Sequence, residues 1–199
     1  MNHLVIDADK KGVSLNIKEL YQYKDLFFIL AYRDFRIRYA QTFLGFLWAF
    51  LQPFATLLIF TIVCGKAAGV DTGEVPYPLF AVCGMTAWSY FAFVMAQSGN
   101  SIISAQAMVK KIYFPRLVIP LSKALVGLVD LGIAFIFLII ALIYYGIMPS
   151  INIIYLPLFV VIALMAALGG GIFLSALTIR FRDFQHIVPF MVQIGLYAT

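Results

Sequence analysis

The sequence predicts an all-α polytopic membrane protein. Of its 199 residues, 63% are hydrophobic and only 12% are charged, whereas about a quarter of the residues of an average soluble domain are charged. Four long stretches contain no charged residue, namely 39–65, 75–109, 131–179 and 184–199. Because about 20 apolar residues cross the hydrocarbon core as a helix, these stretches predict four full transmembrane helices and the start of a fifth.

The predicted spans cover residues 43–64, 79–97, 118–145 and 156–179, and the fifth begins in the stretch 184–199. Pro149 and Asn152 separate the third span from the fourth, since both residues favour turns. We expect Gln52 to offer a polar side chain to the bundle interior, and the glycines at 169–171 to permit close helix packing. The fifth segment stops at Thr199 without a charged flank, so we expect the chain to be a fragment of a longer protein.

The distribution of positive charge predicts the topology. All of the 14 Lys and Arg residues except Lys66 lie before the first span, around the connection between the second and third, or between the fourth and fifth. Lys and Arg concentrate in cytoplasmic loops, so the N-terminus is expected to be cytoplasmic. This topology accounts for the net charge of +5, and we therefore expect no binding to nucleic acid.

The segment before the first span has two parts. Residues 1–16 are polar and lack periodicity, which predicts a flexible cytoplasmic tail, and residues 17–199 form a single transmembrane domain. Within it, 17–38 is predicted to be an amphipathic helix and a basic anchor, with apolar residues at helical spacing: Leu20, Tyr23, Leu26, Phe27 and Leu30. Such a helix either lies in the membrane interface or packs on protein as an ordinary cytoplasmic helix. Phe28 and Ile29 widen the apolar side and favour the membrane.

A second amphipathic helix is predicted over residues 100–113, between the second and third spans. Asn100 or Ser101 can cap its start, and the Phe114-Pro115 sequence ends it, because the residue before proline disfavours helical backbone. A helix of this kind either rests on the lipid surface or docks a cytoplasmic partner. Its periodicity is compatible with both.

Few residues suit catalysis. Asp130 is the one carboxylate inside a predicted span, where an acid is a functional-site candidate or pairs with a neighbouring helix. The sequence contains no catalytic signature, no phosphate loop and no metal-ligand spacing, so we expect no catalytic residue, metal or cofactor on this chain. Cys64 and Cys83 either form a disulfide or, as we expect, are unpaired packing residues.

Three motifs occur in order along the chain. The first joins the basic cluster to the first span, the second follows the second span, and the third follows the fourth span. They read Arg33-Asp34-Phe35-Arg36-Ile37-Arg38 with Leu44-Gly45-Phe46-Leu47-Trp48-Ala49-Phe50-Leu51-Gln52-Pro53, then Lys110-Lys111-Ile112-Tyr113-Phe114-Pro115-Arg116, and Arg180-Phe181-Arg182-Asp183-Phe184. Through these motifs, residues 20–199 resemble the membrane subunits of ABC-type exporters of polysaccharides and polyol phosphates, which have about six spans.

The resemblance implies a half-channel in the bacterial plasma (inner) membrane. Two copies would form a homodimer, each docked to a cytoplasmic ATP-binding subunit that carries ATP and Mg²⁺. Together they would export a lipid-linked glycan such as O-antigen, capsule or teichoic acid. The chain itself would be no enzyme.

The resemblance also implies roles for particular residues. The helix over 100–113 would be a coupling helix, with contacts to the ATPase from Ser101, Gln106, Lys110, Lys111, Tyr113 and Arg116. A cytoplasmic anchor or gate would consist of Arg33, Asp34, Arg36, Arg38, Arg180, Arg182 and Asp183. Aromatic residues that would line a sugar path are Trp48, Trp88, Tyr90 and Phe91, although packing between spans explains the same residues.

Two alternatives remain open from the sequence. One is a permease of the same superfamily that exports a drug or a lipid. The other is a membrane-embedded enzyme that acts on lipid-linked sugars through Asp130 or His186.

Overall fold

The computed structural model describes residues 17–39, 47–67, 72–73, 75–181 and 183–198. These residues form helices and connections without a strand, which confirms the all-α prediction. The helices are α1 (Ile17–Gln22), α2 (Lys24–Tyr39), α3 (Leu47–Phe60) with a π-helical continuation (Thr61–Ala67), α4 (Tyr77–Ser104), α5 (Gln106–Val109), α6 (Val118–Tyr145), a 3₁₀ turn (Ile151–Tyr155), α7 (Leu156–Arg180) and α8 (Phe184–Ala198).

Three of the described helical segments are long and apolar enough to cross a membrane: Tyr77–Ser104, Val118–Tyr145 and Ile151–Arg180. Two shorter apolar helices are Leu47–Val63 and Phe184–Leu196. The chain is therefore a polytopic membrane protein, as predicted. The predicted tail 1–16 and the first residues of the predicted span 43–64 lie outside the described residues.

The predicted boundaries of the helix over 100–113 are wrong. Asn100 and Ser101 do not cap a new helix, because α4 continues through Ser104. The Ser101 hydroxyl donates to the carbonyl oxygen of Ser98 at 2.6 Å, and the Ser104 hydroxyl donates to that of Ser101 at 2.8 Å. Such bonds let serine stay inside a helix. Residues 100–104 of the predicted helix thus belong to α4. After a break at Ala105, the short helix α5 follows.

Helix α4 lies at the centre of the bundle. It packs most extensively on α6 and α7 and contacts α3 and α8 over smaller areas. The main apolar core lies where α4, α6 and α7 meet, and its buried members are Tyr90, Val94, Ala124, Leu131, Ala167 and Leu168.

Glycine sets the distance between α4 and α7. A Cβ atom added at Gly171 would lie 2.6 Å from the Cβ of Ser98 and 3.1 Å from the carbonyl oxygen of Met95. Ser98 also donates a hydrogen bond from its hydroxyl to the carbonyl oxygen of Pro120 at 3.2 Å, so the same turn of α4 contacts α6. The expected close packing is confirmed at Gly171, whereas a Cβ at Gly169 would meet nothing within 4 Å.

A second apolar cluster joins α2 to the segment that follows α4. Leu30 of α2 is buried with Ala105 and Phe114, and with the first residues of α6. The apolar side of α2 therefore packs on protein. Phe28 and Ile29, which widen this apolar side, remain exposed. One part of the apolar side of α2 therefore contacts protein, and the other part is exposed.

Gly171→Ala is expected to lower the melting temperature of the full-length protein in detergent. The added Cβ overpacks the seam between α4 and α7, at a cost of about 1–3 kcal/mol. Gly169→Ala is the matched control, since its Cβ meets nothing and alanine has the higher helix propensity. Equal melting temperatures of the two variants would contradict the assigned seam.

Candidate functional site

Two ion pairs join α2 to α6. In the first, Lys123 Nζ lies 2.7 Å from Asp34 Oδ2, and Arg33 Nη2 lies 2.9 Å from Asp34 Oδ1. The side chains of Asp34 and Lys123 are only 10% and 14% exposed. Because charges removed from water are costly unless they are paired, this contact fixes the middle of α2 against the beginning of α6.

In the second pair, Arg38 Nη2 lies 2.9 Å from Asp130 Oδ2, and the Tyr39 hydroxyl donates to Asp130 Oδ1. Burial raises the pKa of Tyr39, and its hydrogen bond to Asp130 raises this pKa further. Tyr39 therefore remains protonated as a donor at physiological pH. The structure thus places Asp130 in contact with α2. Pairing with a neighbouring helix is one of the two interpretations of this acid that the sequence left open.

The two pairs are reciprocal. On α2 an acid is followed four residues later by a base, about one helical turn, and on α6 a base is followed seven residues later by an acid, about two turns. Asp34 and Arg38 thus share one side of α2, and Lys123 and Asp130 share one side of α6. Each cation meets an acid of the other helix.

A cavity of about 420 Å³ lies between α3, α4, α6 and α8. We call it the chamber. Arg38 and Asp130 line it, together with the aromatic side chains of Trp88, Phe93 and Phe137. Its neutral polar lining consists of Gln52, Thr56, Thr86, Ser89 and Gln193. Gln52 lines this cavity but is itself exposed, so its expected contribution to the bundle interior stays a prediction.

A smaller cavity of about 300 Å³, which we call the vestibule, adjoins the charge pairs. Its charged and polar lining consists of Asp34, Arg38, Gln97 and Lys123. Ile37, Phe93 and Val126 complete it. Both cavities thus lie against the second ion pair or its arginine.

Comparison with known proteins assigns the family. The sequence profile described as ABC-2 type transporter matches residues 25–199. The chain belongs to this family. Among its relatives, the O-antigen export system permease protein RfbA of Myxococcus xanthus is 29% identical over 184 residues, which cover 92% of this chain and 70% of the relative. Two proteins of Klebsiella pneumoniae with the same name are 28% and 29% identical and cover 88% of the chain and 67% of the relative.

In this ABC-2 chain, the structure separates the aromatic residues predicted to line a path. Only Trp88 lines the chamber. Tyr90 is 3% exposed within the core, and Phe91 packs against that core with its ring 5.5 Å from that of Trp88. Trp48 is half exposed on α3. The prediction is therefore corrected for Tyr90, whose burial leaves no surface for a passing sugar.

The residues predicted to contact an ATPase also divide. Ser101 is fully buried inside α4, so it offers no surface to a partner. The exposed members are Gln106, Lys110, Lys111, Tyr113 and Arg116. Of the predicted anchor and gate, Arg33, Arg36, Arg180 and Asp183 are exposed, and Arg182 lies outside the described residues.

Phe93 and Gly127 also belong to the site, and the sequence analysis selected neither of them. The signal that was available is the spacing of Lys123, Gly127 and Asp130, which places all three on one side of α6. Cys83 is a free, exposed thiol, whereas the side chain of Cys64 is not described. Within the described residues, no group of His, Cys, Asp and Glu is arranged to hold a metal ion.

The ion pair between Arg38 and Asp130 is expected to show coupling in a double-mutant cycle. Arg38→Gln and Asp130→Asn should each cost about 1–3 kcal/mol, between the values for exposed and buried pairs. The double variant should lose less than the sum, because its second change removes a charge that is already unpaired. Thermal unfolding of the full-length protein in detergent measures all three.

Arg33→Gln is the control for this cycle, since Arg33 is exposed and its partner Asp34 keeps Lys123. A change within about 0.5 kcal/mol is expected for it. Strict additivity of the two single variants would reject an energetic link between α2 and α6 at this position.

Proposed function

We propose that this chain is the transmembrane subunit of an ATP-driven exporter that moves a lipid-linked polysaccharide of the O-antigen type across the bacterial plasma membrane. The observation that carries the proposal is the name shared by relatives from two organisms, which match most of this chain. Family membership alone also fits a drug or lipid permease, but the names of these relatives favour a polysaccharide.

In the proposed topology, the N-terminus and the connection between α4 and α6 are cytoplasmic. Lys110, Lys111 and Arg116 are exposed in this connection, and positive charge favours the cytoplasmic side. Arg180, at the end of α7, is exposed on the same side of the proposed membrane. The interval from α4 to α6 is then available to a cytoplasmic protein.

Residues 105–117, here called the docking loop, have the chemistry of a protein-docking surface. Ile112 and Tyr113 are 61% and 58% exposed, next to the two lysines. Phe114 is 6% exposed and packs with Leu30 of α2, so the loop is held from behind. Exposed aromatic and aliphatic anchors on a rigid support are typical of the energetic centre of an interface.

The proposed partner of the docking loop is a cytoplasmic ATP-binding subunit that carries ATP and Mg²⁺. Two copies of this chain would form a homodimer and bind two such subunits. Lysines around the apolar anchors favour a partner with an acidic rim around an apolar pocket, because complementary charge steers association.

The chamber suits a hydroxyl-rich group better than a charged one. Arg38 and Asp130 in its lining pair with each other, and the rest of the lining combines neutral hydrogen-bonding side chains with the aromatic ring of Trp88. A few placed polar groups in an otherwise apolar lining are typical of ligand pockets. We propose that the chamber contributes to the path of the glycan.

The double variant Ile112→Ala, Tyr113→Ala is expected to lose the ATP-binding subunit during purification of the complex. Truncation of two interface anchors should weaken binding by about 2 kcal/mol or more. The matched control is Ile143→Ala, Tyr144→Ala, another adjacent Ile-Tyr pair that is 75% and 81% exposed at the opposite end of α6. Retention of the subunit by the docking-loop variant, or its loss from both variants, would contradict the assignment.

Deletion of the full-length gene is expected to remove polysaccharide from the cell surface while the lipid-linked glycan accumulates inside. Drug sensitivity should not change, which distinguishes the exporter from a drug permease. Complementation with His186→Ala should restore export, since no catalytic role is assigned to this residue. Unchanged surface polysaccharide in the deletion strain would reject the proposed substrate.

A further inference from the structure

The connection between α6 and α7, residues 146–155, is largely apolar and exposed. Met148, Ile151 and Ile154 are 91%, 86% and 73% exposed. The whole interval 131–179 contains no charged residue. Contiguous exposed apolar surface marks a site of contact with a protein or a membrane. This connection therefore has a partner that its own fold does not supply.

The lengths of the two flanking helices place the connection at a membrane boundary. Helix α6 is continuous, and its rise from Lys123 to Tyr144 is about 32 Å. In α7 the rise from Leu156 to Arg180 is about 36 Å. The hydrocarbon core of a bilayer is about 30 Å thick. When the basic residues lie at one boundary of this core, the connection therefore lies at the other.

Tyrosine residues cluster at the same level. Tyr144 and Tyr145 end α6, and their rings lie 5.1 Å apart at an angle of 90°. Tyr155 is exposed immediately before α7. Tyrosine is enriched where a span meets the interface between hydrocarbon and water, because its ring is apolar and its hydroxyl polar. These positions are the ones expected of interfacial tyrosines.

The 3₁₀ turn of this connection, Ile151–Tyr155, separates apolar from polar side chains. Side chains three residues apart are aligned in a 3₁₀ helix, so Ile151 and Ile154 share one side. Asn152 is exposed on a different side. A helix that lies in a membrane interface has this arrangement, with apolar side chains towards the acyl chains and polar ones towards water.

The end of α6 satisfies its own backbone. Gly146 adopts a left-handed conformation with a φ of +64°. Its N–H donates to the carbonyl oxygen of Ile143 at 3.2 Å, and the N–H of Ile147 donates to that of Leu142 at 3.1 Å. This pair of bonds is a Schellman motif. Because an unbonded backbone group is costly away from water, such a helix end is suited to a boundary where water is scarce.

We propose that the α6–α7 connection is inserted into the lipid boundary at the membrane face opposite Lys123 and Arg180. The side chains of Ile151 and Ile154 lie among the acyl chains, and Asn152 lies towards the headgroups and water. The partner is lipid rather than protein, since protein interfaces have a polar rim and this connection carries no charged residue. The inference goes beyond the proposed function, because it requires only that α6 and α7 span a membrane.

Site-directed spin labelling tests the depth of the connection in the full-length protein. Every cysteine, Cys64 and Cys83 included, is first replaced by alanine, and a nitroxide is then attached at Ile151→Cys, Ile154→Cys or Asn152→Cys. Each variant is reconstituted into vesicles of phosphatidylethanolamine and phosphatidylglycerol. Relaxation of the nitroxide is measured with oxygen, which concentrates in hydrocarbon, and with a water-soluble nickel chelate.

The ratio of relaxation by oxygen to relaxation by nickel is expected to be severalfold higher at Ile151→Cys and Ile154→Cys than at Asn152→Cys. The reason is that an inserted apolar side lies about 5–10 Å into the boundary between headgroups and acyl chains. Ile140→Cys, exposed on α6 within the span, gives the hydrocarbon limit. Lys110→Cys, exposed in the docking loop, gives the water limit. Two positions on one side keep the test decisive if one variant does not elute as a folded protein.

Ratios at Ile151→Cys and Ile154→Cys close to that of Lys110→Cys would overturn the proposal and place the connection in water. Weak relaxation by both reagents at these two positions would also overturn it, because that pattern indicates cover by protein, such as a second copy of the chain. The assay involves neither the ATP-binding subunit nor a glycan, so its outcome is independent of the export measurement.

Discussion

The close contact between α4 and α7 at Ser98 and Gly171 is the constraint on which the remaining packing depends. Because Gly171 has no Cβ, the two helices approach until Ser98 lies against the α7 backbone, and the hydroxyl of Ser98 reaches Pro120 of α6. Small residues serve this purpose in membranes, where helix association relies on packing and hydrogen bonds rather than on the hydrophobic effect. With α4, α6 and α7 held together, α3 and α8 complete the lining of the chamber.

Four charged residues of α2 and α6 have a partner on the other helix. Asp34 meets Lys123, and Arg38 meets Asp130, so neither helix presents an uncompensated charge to the other. Removal of one partner is most costly at the Asp34–Lys123 pair, whose side chains are largely buried, because the remaining charge there loses its compensation away from water. The reciprocal order of acid and base along the two helices also fixes their register, because a shift by one turn would separate both pairs.

Two neighbouring aromatic residues show how the docking loop combines exposure with support. Tyr113 is exposed, whereas Phe114 is buried against Leu30 of α2. The surface proposed for a partner therefore rests on α2, the helix that also carries Arg38.

The sequence by itself determined the long apolar helices, because any chain that spans hydrocarbon must satisfy its backbone within helices. The predicted span 118–145 coincides with α6. Tertiary structure decided which side of each helix faces a cavity. On an uncharged helix such as α4, the sequence does not distinguish Trp88 in the chamber from Tyr90 in the core. The partners of Asp130 were equally inaccessible, since Tyr39 lies 91 residues away in the chain and only packing of α2 on α6 brings them together.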